Sequence, residues 1–307
     1  MTAEKNAETI TLKYEGQNIL SYYLALHDVP QGVKPVYRRS GFIHPLWSPA
    51  GNVLTRIQPP DHYHHYGIWN PWTKTQVEGK EVDFWNLDKG EGTVRFAGIL
   101  STVSGPVYSG YKVRQEHVVL KPQEKVAMNE LSDVRAYAGK IDGQTIWIID
   151  YTTTLNNTLD TTIELTDYRY GGGFGFRATE QWTKDNCALL TSEGKTRKDA
   201  DGTCARWCDI NGTFGDANKA SGIVFLSHTA NRKHPEPMRV WSADINPKGE
   251  MFFNFCPIRH EKWNLEPQKE HVLRYRLIVY DGKMEPKIMD GLWQSYTNPP
   301  VITRKIK

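Results

Sequence analysis

Ile146-Trp147-Ile148-Ile149-Asp150-Tyr151-Thr152-Thr153-Thr154-Leu155 alternates with the period of two that marks a half-buried β-strand. Asn156-Asn157 follows as a turn signal, and Thr161–Tyr168 resumes the alternation. The same pattern runs outward in both directions. Thr9–Tyr14, Asn52–Ile57, Gly92–Val103 and Tyr111–Leu120 precede it; Gly222–Ser227, Arg239–Trp241, Glu250–Phe255 and His271–Tyr280 come after. Asp142-Gly143, Asp201-Gly202, Asn211-Gly212 and Asp281-Gly282 punctuate these runs as turns. Glu124–Ala138 carries residues that suit a helix, but its Val-Arg-Ala-Tyr end favours a strand. Strands so outnumber helices that the fold class is all-β, an antiparallel β-sandwich, and not a βαβ plan. The expected organisation is a flexible polar lead over residues 1–8 and a single sandwich domain over residues 9–307.

The 307 residues can bury a large core without a staple. Lys and Arg number 38 against 35 Asp and Glu, a formal charge of +3, which argues against a nucleic-acid partner. The short basic end Arg304-Lys305-Ile306-Lys307 reads as a solvated tail. No stretch approaches the roughly 20 apolar residues of a membrane span. Met1–Glu8 has no apolar signal core, which fits a cytoplasmic protein, or a periplasmic one whose signal peptide has been removed. Cys187, Cys204, Cys208 and Cys256 lack zinc-site spacing and are expected as free buried thiols. The chain holds 10 Trp, 15 Tyr and 10 Phe, enough to furnish a core and also a cleft. Indole faces stack on the C–H faces of sugars, so the expected partner is a small-molecule carbohydrate.

The densest chemical cluster is Pro59-Pro60-Asp61-His62-Tyr63-His64-His65-Tyr66-Gly67-Ile68-Trp69-Asn70. The two prolines forbid a helix, so the segment enters extended or as a loop. If extended, His62, His64 and Tyr66 face one way and Asp61, Tyr63 and His65 the other. Histidine titrates near neutrality and suits acid–base work, which makes His64 or His65 the acid/base and Asp61 its orienter. His62 and His64 are alternatively candidate ligands for a divalent metal, with His228 as a third. Downstream, Val82-Asp83-Phe84-Trp85 reads as a strand after the Gly79 turn, with Asp83 as a ligand anchor or a histidine's orienter, or equally as a capped turn with a core aromatic. Tyr168-Arg169-Tyr170-Gly171-Gly172-Gly173-Phe174-Gly175-Phe176-Arg177 lacks the dinucleotide spacing; its glycines let backbone approach a ligand or a strand. It offers Tyr170 and Arg177 as ligand contacts, and beyond it Glu180 as a second carboxylate. Glu193-Gly194-Lys195-Thr196 is no phosphate loop, and Arg206-Trp207 could clamp a ligand. The loop His228–Pro235 follows an apolar strand and contributes His228 and Asn231. Asn254, inside an aromatic strand, needs a partner if buried.

Asp61-His62-Tyr63-His64-His65-Tyr66-Gly67-Ile68-Trp69, with Tyr37–Leu46 before it, resembles a bacterial domain family labelled "methane oxygenase PmoA". Val82–Trp85, Asp201-Gly202-Thr203, His228–Pro235 and Leu273-Arg274-Tyr275-Arg276 extend the resemblance over nearly the whole chain. Tyr63 stands where that pattern usually has Pro, and Tyr66 where it usually has Arg. The label names a membrane oxygenase subunit, which needs transmembrane helices that this sequence lacks. The resemblance implies instead a β-supersandwich of the galactose-mutarotase-like kind, with unknown function and a setting in carbohydrate use.

Three functions follow from these residues. The first is a carbohydrate-active enzyme of epimerase, lyase or hydrolase type working by His/carboxylate chemistry. The second is a non-catalytic carbohydrate-binding module stacking sugars on Trp69, Trp72 and Trp85. The third is a His-ligated metal-dependent protein. The particular sugar and the oligomeric state are not encoded in any of these motifs.

Overall fold

The alternating runs become antiparallel strands because each has one face to bury. A computed structural model describes residues 1–300, with backbone alone at residues 216–218; the basic tail Arg304–Lys307 lies outside the described residues. An eight-stranded sheet has the order Cys187–Thr191, Trp207–Phe214, Asp216–Ser227, Glu270–Asp281, Gln144–Asn157, Lys125–Ile141, Ser109–Val119, Gly92–Val103. A nine-stranded sheet runs Thr2–Lys5, Thr9–Tyr14, Gln17–Tyr23, Ile43–Leu46, Ile68–Trp69, Phe174–Arg177, Phe252–Phe255, Glu236–Val240, Cys204–Ala205. A small four-stranded sheet is built from Trp263–Leu265, Ile163–Leu165, Thr75–Val77 and Lys80–Val82. The result is an all-β sandwich.

The central hairpin shows how the sequence dictates its faces. Val134 pairs with Tyr151 and Ala136 with Ile149, and all four side chains are buried. Phe174, Phe176, Phe253 and Phe255 of the other sheet join the same core. Phe174 meets Phe225 and Tyr275 edge-on or tilted, with ring centroids 5.5 and 5.4 Å away. Residues on the outer face of the large sheet, such as Ile146, Val224, Leu226 and Ile278, would face water. They are covered by the helix Pro286–Thr297, whose Met289, Leu292, Trp293 and Tyr296 repeat at helical spacing.

Several expectations are corrected by the strands themselves. The lead over residues 1–8 is not a free arm, because Thr2–Lys5 pairs with Ile10–Lys13 and extends the sheet. Asn52–Ile57 makes only isolated bridges, at Val53, Thr55 and Ile57. The Asn156-Asn157 turn falls inside a strand that ends at Asn157, whose side chain bonds the carbonyls of Thr161 and Leu265. Glu124–Ala138 is strand, as read. Cys187, Cys208 and Cys256 are buried free thiols, whereas Cys204 is exposed.

The loop after Ser227 illustrates how polar groups are held in this interior. Asn231 donates to the Arg274 carbonyl at 2.8 Å and accepts from the Arg274 amide at 2.7 Å, closing the loop onto its neighbour strand. The Asn231 side-chain amide also donates to the fully buried Glu236 at 2.8 Å. Tyr275 donates to the other oxygen of Glu236 at 2.9 Å, and Ser227 adds a third donor. Burial dominates even so, pushing this carboxyl from 4.5 up to about 7. A carboxyl raised on folding binds its proton more tightly in the native state, so its stabilising contribution is present below about 4.5 and lost through about 7. In urea titrations the unfolding free energy of the wild type should therefore lose up to about 1.4 kcal/mol per pH unit across this window relative to Glu236→Gln. Parallel pH profiles for the two proteins would refute this.

Candidate functional site

Pro59-Pro60 ends the extended approach, and the chain then turns back instead of continuing as a strand. His62 N–H donates to the Pro59 carbonyl at 2.9 Å, His65 N–H to His62 at 3.0 Å and Gln58 N–H to His65 at 2.7 Å. Ile57 bridges Tyr66 across the base of the loop. Gly67 follows with φ +70°, and a Cβ there would sit 2.4 Å from the Ile43 carbonyl oxygen. Only glycine fits that crossing. The expected strand-like alternation of the histidines is thereby replaced by convergence. His62 and His65 stack at 4.8 Å between centroids, and His64 stands perpendicular to His65 at 4.8 Å. One ring nitrogen from each of the three lies within 4.8 Å of the others.

These rings open into a cavity of about 230 Å³. Its other walls are Trp85 and Asn86, Tyr168 to Tyr170, and Trp241. Below it lies Arg177, the last residue of a central strand and fully buried. Its Nη2 donates to both oxygens of Asp61, at 3.1 and 2.9 Å, and to Glu250 at 2.8 Å. Its Nη1 faces His65 Nδ1 at 3.4 Å, and its guanidinium lies 4.7 Å from the Trp241 ring. Glu250 is shared with Arg56 at 2.6 Å.

Partner identity fixes the tautomers. His62 Nδ1 lies 2.8 Å from Asp61 Oδ2, so it donates there, and in the neutral ring the lone pair is on Nε2. An arginine can only donate, so His65 Nδ1 accepts and the ring proton sits on Nε2. Burial, then the charges of His62 and Arg177, lowers His64 to about 3. Burial also holds His65 well below the usual imidazole value, helped by His64 and Arg177. Burial alone would raise Asp61, but the hydrogen bond from His62 and the Arg177 charge outweigh it and keep it ionised. His64 and His65 are therefore neutral over an anchored ion cluster, while Asp61 engages His62 at Nδ1.

Of the residues expected from sequence, Asp61, His62, His64, His65, Trp85, Tyr170 and Arg177 come together here. Trp69 supports His65 from behind at 5.3 Å but is 1% exposed. The Trp69, Trp72 and Trp85 stacking surface is not formed, since these rings are 1%, 0% and 2% exposed. Asp61 orients His62, not His64 or His65. Asp83 takes the capped-turn alternative, not the strand: it accepts from the amides of Trp85 and Asn86 at 2.8 Å each, with Phe84 and Trp85 buried. Glu180 is exposed and tied to Arg56 at 3.3 Å. Arg206 pairs with Glu193 and Asp290 and covers Trp293, while His228 stands edge-on to Tyr296, so both belong to the helix-covered face. Asn231 is the loop latch already described. Asn254 is a buried brace, donating to the carbonyls of Gly172, Phe174 and Phe255 and accepting from the Gly171 amide. Trp241, Glu250, Asn86 and Arg169 were not named as site residues, although Arg169 lies inside the glycine-rich run 168–177 and Asn86 directly follows Trp85; Trp241 and Glu250 sit in strand-like segments with no pattern that marks a pocket wall.

Removing the central cation should cost stability because two carboxylates would be left without their shared partner. Arg177→Met is expected to lower the unfolding free energy by roughly 3 kcal/mol, read from the urea midpoint. An unchanged midpoint would show that the cluster does not depend on it.

Among solved structures the chain resembles a heparan sulfate lyase HepC mutant from Pedobacter heparinus, at 9% identity and TM-score 0.44, covering 92% of this chain and 37% of that one. It also resembles the GH36 alpha-galactosidase AgaB from Geobacillus stearothermophilus, at 10% identity and TM-score 0.39, covering 91% and 41%. A third is the Slr1438 protein from Synechocystis sp. PCC 6803, at 10% identity and TM-score 0.35, covering 89% and 88%. The chain thus spans well under half the length of the first two. No curated protein matches it. The PmoA label gains no support from these comparisons. A family model matches residues 9–294, and the chain belongs to that family, described as Family of unknown function (DUF6807).

Proposed function

We propose that this pocket is the active site of a carbohydrate-active enzyme that moves a proton on a small sugar. The observation that carries the reading is the pairing of two imidazoles stacked at 4.8 Å on the pocket floor, His62 with its Nδ1 held by Asp61 and His65 with its Nδ1 held by Arg177. His62 Nε2 is the base, with Asp61 holding its tautomer and stabilising the imidazolium that forms. His65 Nε2–H is the donor to the oxygen on which negative charge develops, its tautomer held by Arg177. Such a pair suits epimerisation, elimination or ring opening, each of which removes one proton while charge grows on a nearby oxygen. Trp85 and Trp241 border the cavity but are each only 2% exposed, so they back the histidines and do not offer a stacking face, and Asn86 and Tyr170 supply polar contacts.

The three ring nitrogens within 4.8 Å also favour a second reading, a divalent metal on His62, His64 and His65. Two features oppose it. Arg177 occupies the lone pair of His65 Nδ1, so the opposite nitrogen carries a proton, and a guanidinium directly behind the rings repels a dication.

Proton NMR of the protein with monosaccharides, disaccharides and their 3-keto forms tests the proposal. Faster anomer exchange or a new product is expected, reduced about 10²–10⁴-fold in His62→Ala and in His65→Ala. Full turnover in both variants would sink it. Dialysis against EDTA should leave the rate unchanged; a rate lost on dialysis and restored by zinc would replace the acid–base reading with the metal one.

A further inference from the structure

The pocket wall opposite the histidines carries an excess of positive charge that the proton-transfer reading does not use. Arg169 is exposed, lines the cavity and has no carboxylate partner among the described residues. Two more guanidiniums lie behind it. Arg239 and Arg259 share a single carboxylate, Asp201, at 3.0 and 2.9 Å. Three cations against one anion leave this wall positive. The lining of the cavity contains no Asp or Glu. Acids close to the opposite wall are already engaged, Asp83 in its turn and Asp88 with Lys34 at 2.7 Å and Tyr37 at 3.1 Å.

The neutral groups of the wall point the same way. Tyr170 Oη accepts two hydrogen bonds, from Arg239 at 2.9 Å and from Trp241 Nε1 at 3.1 Å. With both acceptor positions used, its own O–H proton is left to donate elsewhere. His65 Nε2–H is a second donor. The cavity therefore offers a guanidinium without a carboxylate partner, a phenol proton and an imidazole proton, beside acceptors on its other histidines, Asn86 and Tyr168. A lining with one permanent cation and no anion favours an anionic ligand over a neutral one.

We infer that the ligand of this pocket is a sugar acid, a uronate or aldonate, whose carboxylate is held by Arg169 with Tyr170 O–H beside it. The inference rests on the carbohydrate reading and narrows it to one substrate class. Arg169 and Tyr170 hold the carboxylate on one wall, while the stacked histidines face the sugar carbons from the floor. Arginine is suited to the task because its planar fork matches a carboxylate in two hydrogen bonds.

Binding of glucuronate, galacturonate and gluconate is compared with that of glucose and galactose, by calorimetry and by the fluorescence of Trp85 and Trp241. At least one acid should bind tenfold or more tightly than its neutral counterpart, and its affinity should fall with added salt. Arg169→Gln should abolish the preference, and Arg169→Lys should retain part of it; Arg169 is exposed, so both variants fold. Equal binding of acids and neutral sugars would overturn the substrate class and leave the carbohydrate reading intact. Acid binding undiminished in Arg169→Gln would overturn the assignment of Arg169. Failure of all five sugars to bind would overturn both this inference and the reading beneath it.

Discussion

One buried positive charge organises the functional end of the molecule. Arg177 ends a strand whose four residues are all buried, so its guanidinium cannot reach bulk water and must find its counter-charges inside. Asp61 comes from the histidine loop and Glu250 from the start of the next strand region, and both arrive at the same nitrogen. The requirement to pair that charge fixes where the loop lies. The loop position then fixes which imidazole nitrogens carry protons. Stability and chemistry are here two readings of one electrostatic demand.

Away from the pocket, the same demand is met by neutral or shared-proton networks. Glu236 is surrounded by Ser227, Asn231 and Tyr275 without a cation, and its carboxyl is pushed up accordingly. Asn254 carries no charge and satisfies four backbone groups across two segments. These polar residues hold loops against strands, so the aromatic core need only supply burial. The contrast explains why several polar residues that stood out in the sequence are braces and not site groups.

Strands were legible because period-two alternation survives wherever one face is buried, as at Gly92–Val103, which coincides with the observed strand end to end. Boundaries were lost where pairing stops for reasons outside the segment, as at Val82, after which Asp83 caps a turn. The helix Pro286–Thr297 was missed although proline at its first turn and apolar residues at 288, 289, 292, 293 and 296 were present to be read. The histidine cluster was legible as a concentration of side chains but not as geometry. Its residue types raised the expectation of acid–base work, whereas the turn that gathers the rings depends on backbone bonds from Gln58 and on the clearance at Gly67. Arg169 and Trp241 were hidden for a different reason. Each becomes a wall only when distant strands meet.

The opposed tautomers of His62 and His65 have a stereochemical consequence. A floor with a lone pair on one side and a proton on the other is not symmetric under a half-turn about its normal. On the proposed function, a pyranose laid on that floor would present ring faces and hydroxyl directions that differ between its two approaches, so only one approach would match both nitrogens. Arg177 and Asp61 thus set a compass direction within the pocket without touching the ligand. Handedness at the reacting carbon would be read by proton placement, with the protein's shape needed only to keep the ring from sliding away.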